Sequence, residues 1–162
     1  MTWINTKSYD FQKQVNDPKQ KEGNKLAMHY LLSLGEEIRD VSENPDYYKG
    51  GVDLIRVWPD REEYIDVKTD FMAHKTGNIP IELTEVVSAK GVSKLGWYYT
   101  NNEIIYLIYE TKELIHFKKD ELTDIFSKPY KGYASHHIKP FPYFTMGILL
   151  PLEEIKDMII KL

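Results

Sequence analysis

The sequence contains no cysteine among its 162 residues. This absence excludes a disulfide framework, a zinc site built from thiolates and a catalytic thiol. The chain also lacks an apolar run of the length that spans a bilayer, and its first residues lack the basic start and apolar core of a signal peptide. We therefore expect a cytoplasmic protein with no membrane partner.

Motifs of several common enzyme classes are also missing. The sequence has no Walker loop, no dinucleotide-binding Gly-x-Gly-x-x-Gly, no Gly-x-Ser-x-Gly elbow and no His-Glu-x-x-His zinc helix. Neither sign of charge is in large excess. The chain has 21 lysines and arginines and 25 aspartates and glutamates, so its net charge is −4. Such a chain is not a nonspecific nucleic-acid coat, but a nuclease whose acidic residues bring their own cations is compatible with it.

What is present is enough for a folded core. The length fits one domain over residues 1–162, and 42% of the residues are hydrophobic. Asp17 and Pro18 predict a helix start, and the helix should end near Leu34, before Gly35. Residues 104–109 are apolar throughout, which predicts a strand buried on both faces. The order of elements favours a mixed α/β or α+β sheet.

The most informative stretch covers residues 50–70. It contains two apolar, strand-like runs joined by a predicted turn at Pro59 and Asp60. Asp53 lies at the start of the first run, whereas Asp66 and Lys68 lie in the second. Because side chains alternate along a strand, Asp66 and Lys68 share a face, and pairing of the two runs as a hairpin brings Asp53 close to Asp66.

These three residues suit hydrolytic chemistry. Two carboxylates held together repel each other unless a cation lies between them, and a hard ion such as Mg²⁺ prefers oxygen ligands. A lysine beside the ion can position a water molecule and stabilise developing negative charge. The alternatives are ordinary ones: Asp53 follows Gly50 and Gly51 and suits a turn, and Lys68 suits the surface of an edge strand.

The pattern resembles the PD-(D/E)XK nuclease superfamily, in which an Asp at the start of one strand is followed, after a hairpin, by an acid, any residue and Lys. Asp53, Asp66 and Lys68 occupy those positions, while Val52 stands where the proline of the motif's name would be. Phage and mobile-element members continue with a "VKTD … TGN … IE" run, a Gly-Trp pair and an apolar strand. Residues 67–70, 76–82, 96–97 and 104–109 match that continuation.

The resemblance implies a restriction-endonuclease-like core, with a central mixed β-sheet flanked by helices, and Mg²⁺ or Mn²⁺ as cofactor. Asp53 and Asp66 would be metal ligands, with the Val67 carbonyl as a backbone ligand. Glu82 matches the acid of the "IE" run; its alternative is an ordinary polar-face residue. First-helix acids in this superfamily often reach the metal, and Glu22 is the candidate here, unless that ligand is missing.

The segment 126–147 contains no acidic residue. Its lysines alternate with aromatic side chains, a mixture that suits phosphate contact combined with base stacking. We predict a nucleic-acid-binding loop here; the alternative is a solvated loop whose aromatic side chains pack inward. The candidate contact residues are Lys128, Lys131, Lys139, Tyr130 and Tyr133.

We therefore interpret the chain as a Mg²⁺- or Mn²⁺-dependent endonuclease that hydrolyses DNA phosphodiester bonds in phage or mobile-element DNA processing. A structure-specific activity, such as Holliday junction resolution, fits a small domain with little surface for reading a long sequence. One alternative is a nuclease fold that has lost cleavage and binds nucleic acid as an accessory protein. Another is an interaction domain in which the pattern arose by chance. The sequence leaves a homodimer open.

Overall fold

The computed structural model of the chain describes residues 2–5, 17–48, 50–87, 91–96, 102–125, 127–137 and 143–162. The strands, in chain order, are β1 Thr2–Asn5, β2 Ile38–Asp40, β3 Leu54–Val57, β4 Glu62–Asp70, β5 Asn78–Val87, β6 Gly91–Leu95, β7 Glu103–Ile108, β8 Glu113–Phe117, β9 Lys131–His137, β10 Tyr143–Pro151 and β11 Ile159–Lys161. The helices are α1 Pro18–Ser33, α2 Pro45–Tyr48, α3 Ala73–Thr76 and α4 Lys119–Ile125, and a 3-10 helix covers Leu152–Met158.

A mixed sheet lies at the centre of the fold, in the order β2–β3–β4–β7–β8–β11. β4 and β7 run parallel, whereas the other neighbours pair antiparallel. The expected α+β fold, with a central mixed sheet flanked by helices, is confirmed. A second sheet, in the order β1–β9–β10–β5–β6, is a feature that the sequence did not indicate.

The two faces of the central sheet are covered differently. On one face, Ala27 and Leu31 of α1 pack on Leu54, Ile65 and Ile105. The other face packs on the second sheet through apolar side chains, among them Ile79, Ile81, Ile104, Ile108 and Leu150. Because side chains alternate along a strand, the even-numbered residues of β4 and β7 point toward the second sheet.

The first helix follows its sequence signals. The Asp17 side chain accepts a hydrogen bond from the Lys19 amide at 2.9 Å, and Pro18 is the first helical residue. Gly35 follows the helix with φ +80°, the left-handed conformation that favours glycine. No described helix combines the length and the apolar character needed to cross a membrane.

One prediction about the second half of the chain is wrong. The acid-free segment 126–147 is not a loop, because residues 131–137 form β9 and β10 begins at residue 143. β9 contains no β-branched residue, and it forms through pairing with β10, which the local composition does not reveal. After Pro151 the chain forms a 3-10 helix that gives way to the edge strand β11.

Candidate active site

The hairpin predicted for residues 50–70 is present, and it holds Asp53 rigidly. β3 pairs antiparallel with β4, with Leu54 opposite Ile65. The Asp53 amide donates to the Ile65 carbonyl at 3.0 Å, and its carbonyl accepts from the Val41 amide at 2.9 Å. Fixed by hydrogen bonds on both sides, Asp53 lies beside Asp66, on the hairpin end opposite the Pro59 turn.

Asp53 and Asp66 form a carboxyl pair. The Asp53 side chain accepts a hydrogen bond from the Val67 amide at 2.8 Å and is hydrogen-bonded to the Asp66 carboxyl group. Burial and the charge of Asp66 raise the pKa of Asp53 to about 7. Near neutral pH Asp53 therefore changes between its protonated and its ionised form.

Lys68 completes the group. Its ammonium Nζ lies 2.8 Å from Asp66 Oδ2, and its side chain remains 38% exposed, whereas that of Asp66 is 7% exposed. Burial alone would lower the pKa of Lys68, but neighbouring carboxylates outweigh it and raise the pKa above the ordinary value. These are Asp66, Asp53 and Glu82. Lys68 is therefore a permanent cation that faces solvent beside a buried acid pair.

Gly51 leaves room for the Asp53 and Asp66 side chains because it has no Cβ. It adopts φ +75°, a left-handed conformation that strains other residues, and a Cβ there would lie 3.5 Å from Asp66 Oδ2. The Asn102 side-chain amide donates to the Gly51 carbonyl at 3.4 Å. The Gly-Gly turn thus brings the chain close to Asp66 and directs it into Asp53.

Glu82 reaches the same region from the second sheet. It lies on β5, opposite Gly147 of β10, and is half-buried. Its charge contributes to the raised pKa values of Lys68 and Tyr133. The structure therefore brings Glu82 into electrostatic range of Lys68, while its role as a ligand stays a prediction.

Glu22 has different neighbours. It lies on α1, on the helix-covered side of the central sheet, where its carboxylate accepts a hydrogen bond from the Tyr109 hydroxyl at 2.5 Å. Lys112 Nζ lies 3.4 Å from its other oxygen. The Tyr109 hydrogen bond lowers the pKa of Glu22 despite partial desolvation. Glu22 thus has partners other than the acid pair in this structure, and its role as a metal ligand stays a prediction.

Asp70 is the last residue of β4. Its Oδ1 accepts hydrogen bonds from the Met72 and Ala73 amides at 2.6 Å, and its other oxygen accepts from the Tyr106 hydroxyl. Burial and the Asp70 charge raise the pKa of Tyr106 well above its ordinary value. Tyr106 pairs with Lys68 across the parallel strands. Sequence reasoning missed Tyr106, because the β4–β7 register sets this position.

Few side chains lie close enough together to act as ligands for a metal ion. Within the described part of the chain, no three His, Cys, Asp or Glu side chains converge closely enough to hold a metal ion. Asp53 and Asp66 are the two side chains in contact. The amide of Val67 is used by Asp53; the ligand role of its carbonyl stays a prediction.

The basic and aromatic candidates lie on β9 and just before it. Lys128 is exposed and pairs with Glu154 at 2.8 Å, and Lys131 is exposed at the start of β9. Tyr130 packs partly against the core, and the Tyr133 side chain is only 5% exposed. Their contact with nucleic acid stays a prediction. Lys139 lies outside the described residues.

A second polar cluster, which the sequence reading missed, occupies the turn end of the hairpin. The Arg56 guanidinium is buried and binds Glu103 through two hydrogen bonds at 2.7 and 3.0 Å. It also binds Glu36 at 2.8 Å and Glu63 at 2.9 Å. His116 Nε2 lies 2.7 Å from Glu103. This Arg56 cluster joins α1's end to four strands and has a structural role.

Comparison with known proteins adds little to the assignment of this protein's function. No protein-family model matches the sequence, and no curated protein matches it. Among solved structures, the chain is similar to a bacterial homing endonuclease, with 15% sequence identity and a TM-score of 0.45. The match covers 65% of this chain and 70% of that chain. Assignments of function therefore depend on the geometry of this chain's own residues.

Proposed function

We propose that this protein is a divalent-metal-dependent endonuclease that hydrolyses phosphodiester bonds in DNA. The observation that carries the proposal is the contact between the Asp53 and Asp66 carboxyl groups, with Lys68 Nζ 2.8 Å from Asp66. An acid pair supplies oxygen ligands for a cation, and an adjacent ammonium supplies a donor for charge that develops on phosphate.

The acid pair fits a hard divalent cation. Its mutual repulsion and burial raise the pKa of Asp53 to about 7, and a doubly charged ion would relieve that repulsion by displacing the proton. Mg²⁺ commonly binds through one or two carboxylates and keeps several waters, so Asp53 and Asp66 would suffice as side-chain ligands. When bound, such an ion would polarise the phosphate and lower the pKa of a coordinated water.

Lys68 acts as a hydrogen-bond donor in this proposal. Because its pKa is raised, the ammonium keeps its proton near neutral pH and does not serve as a general base. It can hold the attacking water or a non-bridging phosphate oxygen, and its positive charge stabilises the extra negative charge of the pentavalent transition state. Its partial exposure leaves a path by which a phosphate group can approach.

Membership of the PD-(D/E)XK superfamily and a place in phage DNA processing belong to the same proposal. They are supported by the order of Asp53, Asp66, Lys68 and the Thr76–Gly77–Asn78 run along the chain. DNA is the favoured substrate, and the exposed Lys128 and Lys131 are candidates for its phosphate contacts.

A cleavage assay tests the proposal directly. Purified protein is incubated with supercoiled, linear, single-stranded and branched DNA in Mg²⁺, Mn²⁺ or EDTA. We expect cleavage that requires the metal, is lost in Asp66→Ala, and falls by about 10²-fold or more in Lys68→Ala. Lys156→Ala, which alters a surface lysine paired with Glu153, is the matched control and should cleave normally.

The outcomes separate the alternatives. Cleavage in EDTA, or full activity in Asp66→Ala, would overturn the assignment. Metal-dependent DNA binding without cleavage of any substrate would instead favour the accessory-protein function. Circular dichroism of each variant establishes that the fold is intact.

A further inference from the structure

An exposed tyrosine lies next to the acid pair, on the same face of the central sheet. Tyr64 precedes Asp66 by two positions on β4, so both side chains point to that face, with their Cα atoms about 7 Å apart. Tyr64 is 44% exposed, whereas Asp66 is buried. Its ring meets the ring of Tyr47, on α2, edge to face, with the centroids 6.4 Å apart. An aromatic pair thus borders the acid pair and keeps ring surface open to solvent.

The sheet places a cation beside this aromatic pair. Arg39 of β2 lies opposite Ile55 of β3, and Ile55 lies opposite Tyr64, so the three side chains share one face. The 2.8 Å ion pair between Arg39 and Glu62, two positions before Tyr64, agrees with this placement. Tyr47 packs against the core cluster that contains Ile55, which fixes its ring next to Tyr64. The guanidinium and both rings therefore lie on the face that carries the acid pair.

Tyr47 also lines a groove of about 830 Å³ at the β2 edge of the central sheet. Lys21 and Lys25, one turn apart on α1, line the same groove, and so does Val41. The Val41 amide donates to the Asp53 carbonyl at 2.9 Å. The groove therefore lies one strand away from Asp53.

Cations and acids both line the groove. Lys25 is exposed, and Lys21 and Arg39 are each about half-exposed. Lys21 binds Glu43 at 2.6 Å, and the Asp40 carboxylate accepts hydrogen bonds within its own turn at 2.6 and 2.9 Å. Exposed ion pairs contribute little to stability, because solvent screens them. Lys21 and Arg39 can therefore exchange a carboxylate for a phosphate oxygen.

We propose that this groove and the Tyr47–Tyr64 pair bind a single-stranded segment of DNA that continues from the phosphate group at the acid pair. The inference rests on the proposed nuclease function and names the kind of substrate, which is DNA with an unpaired strand next to the cleaved bond. Proteins that bind single strands combine a cationic groove for the backbone with aromatic rings on which bases stack, and these residues supply both. Paired bases are stacked on each other and do not reach a ring face in this way, so a duplex would contact the cations alone.

Binding of a short fluorescent oligothymidylate, measured by anisotropy in EDTA, tests the inference without turnover. Tyr64→Thr removes the ring but keeps a residue that favours strands, and we expect it to raise the Kd by about 10-fold or more. Tyr64→Phe keeps the ring and should bind as the wild type does. Trp58→Thr is the matched control, because Trp58 is an exposed aromatic residue beside the hairpin turn, away from the acid pair. Unchanged binding by Tyr64→Thr would overturn the inference, and so would a duplex of the same length that binds as tightly as the single strand.

An abasic oligonucleotide of the same charge separates stacking from phosphate contact. If bases stack on Tyr64, removing the bases and removing the ring delete the same interaction, so Tyr64→Thr should bind the abasic strand as the wild type does. A further loss with the abasic strand would contradict stacking. Replacing Lys25 and Arg39 by Gln should reduce the slope of log K against log salt by about 0.7 for each phosphate contact removed, whereas Lys156→Gln, at a lysine paired with Glu153, should leave the slope unchanged. An unchanged slope in the Lys25 and Arg39 variant would overturn the groove as the backbone contact.

These measurements fail separately from the cleavage assay. If the wild type cleaves no DNA but binds the oligothymidylate through Tyr64, the nuclease function fails and the assignment of the groove holds. If the wild type cleaves DNA but binding does not depend on Tyr64, the inference fails and the nuclease function holds.

Discussion

The raised pKa of Asp53 leads to a quantitative prediction for Asp53→Asn in metal-free protein. The pKa rises from 3.8 to about 7, through burial first and the Asp66 charge second. Each unit of pKa difference corresponds to about 1.4 kcal/mol, so keeping Asp53 ionised in the folded state costs up to about 4 kcal/mol. Asparagine carries no charge, and its oxygen can still accept the hydrogen bond of the Val67 amide.

The effect has a defined pH window. Below about pH 4, Asp53 is protonated in the folded and the unfolded chain, so its ionisation costs nothing. Between about pH 4 and about pH 7, the folded chain keeps a proton that the unfolded chain has lost, and stability falls as the pH rises. Asp53→Asn should therefore match the wild type near pH 4 and exceed its stability near pH 8, by up to about 4 kcal/mol.

Urea unfolding in EDTA, followed by tryptophan fluorescence across this pH range, measures the difference. Asp60→Asn is the control, because the Asp60 side chain is 75% exposed and pairs with Arg61 in the hairpin turn. Its stability should follow the wild type at every pH. If Asp53→Asn gains no stability over the wild type between acid and neutral pH, the acid pair is not coupled as described.

A divalent ion should reduce the stability advantage of Asp53→Asn over the wild type. An ion that binds the folded protein stabilises it by mass action, by about 2.7 kcal/mol at a concentration one hundred times its Kd. At pH 8 we expect Mg²⁺ or Mn²⁺ to raise the melting temperature of the wild type more than that of Asp53→Asn. Glu82→Gln should reduce the shift if Glu82 is a ligand and leave it unchanged if it is a polar-face residue. No shift in the wild type at millimolar ion would favour the accessory-protein function.

Further predictions concern the core. Thr69→Val should stabilise the protein by about 1 kcal/mol in urea unfolding, because it removes the sealed, unpaired Thr69 Oγ1, whereas Thr69→Ser should bring no gain. Gly23→Ala should destabilise it by about 1–3 kcal/mol despite the helix preference of alanine, because the new Cβ would lie 2.1 Å from Thr69 Oγ1; a stable Gly23→Ala would refute this packing. Arg56→Met should cost about 3–5 kcal/mol at pH 7 in urea unfolding, because it leaves the partly buried carboxylates of Glu36, Glu63 and Glu103 without their cation. Arg61→Met, at a side chain 54% exposed, should cost far less, and equal losses would contradict the structural role of the Arg56 cluster.

The hairpin end of the site was predictable because its signals are local. Asp53 and Val67 are 14 positions apart, and alternation along β4 places Asp66 and Lys68 on one face. The first helix was predictable for the same reason, since its cap and its terminal glycine adjoin it. Each of these features depends on residues within a few turns or one hairpin.

The second sheet and its contribution to the site were not predictable in this way. Glu82 lies on β5 of the second sheet, which pairs with β10, a strand far from it in the chain. A tyrosine among lysines suggests a surface for stacking, and the sequence gives no sign that the Tyr133 side chain is buried. Arg56 was missed because its partners Glu36 and Glu103 come from distant elements.

The strand order of the second sheet also bears on how the chain folds as it is made. The hairpin with Asp53 and Asp66 can close early, but β9 and β10 are synthesised near the end, and β1 must wait to pair with β9. Such long-range pairings give a high contact order, for which folding times of about milliseconds to seconds are typical. Until β10 leaves the ribosome and joins β5, the apolar face of β7 at Ile104 and Ile108 stays incompletely covered. Nascent chains stalled before residue 143 should therefore depend on chaperones to avoid aggregation.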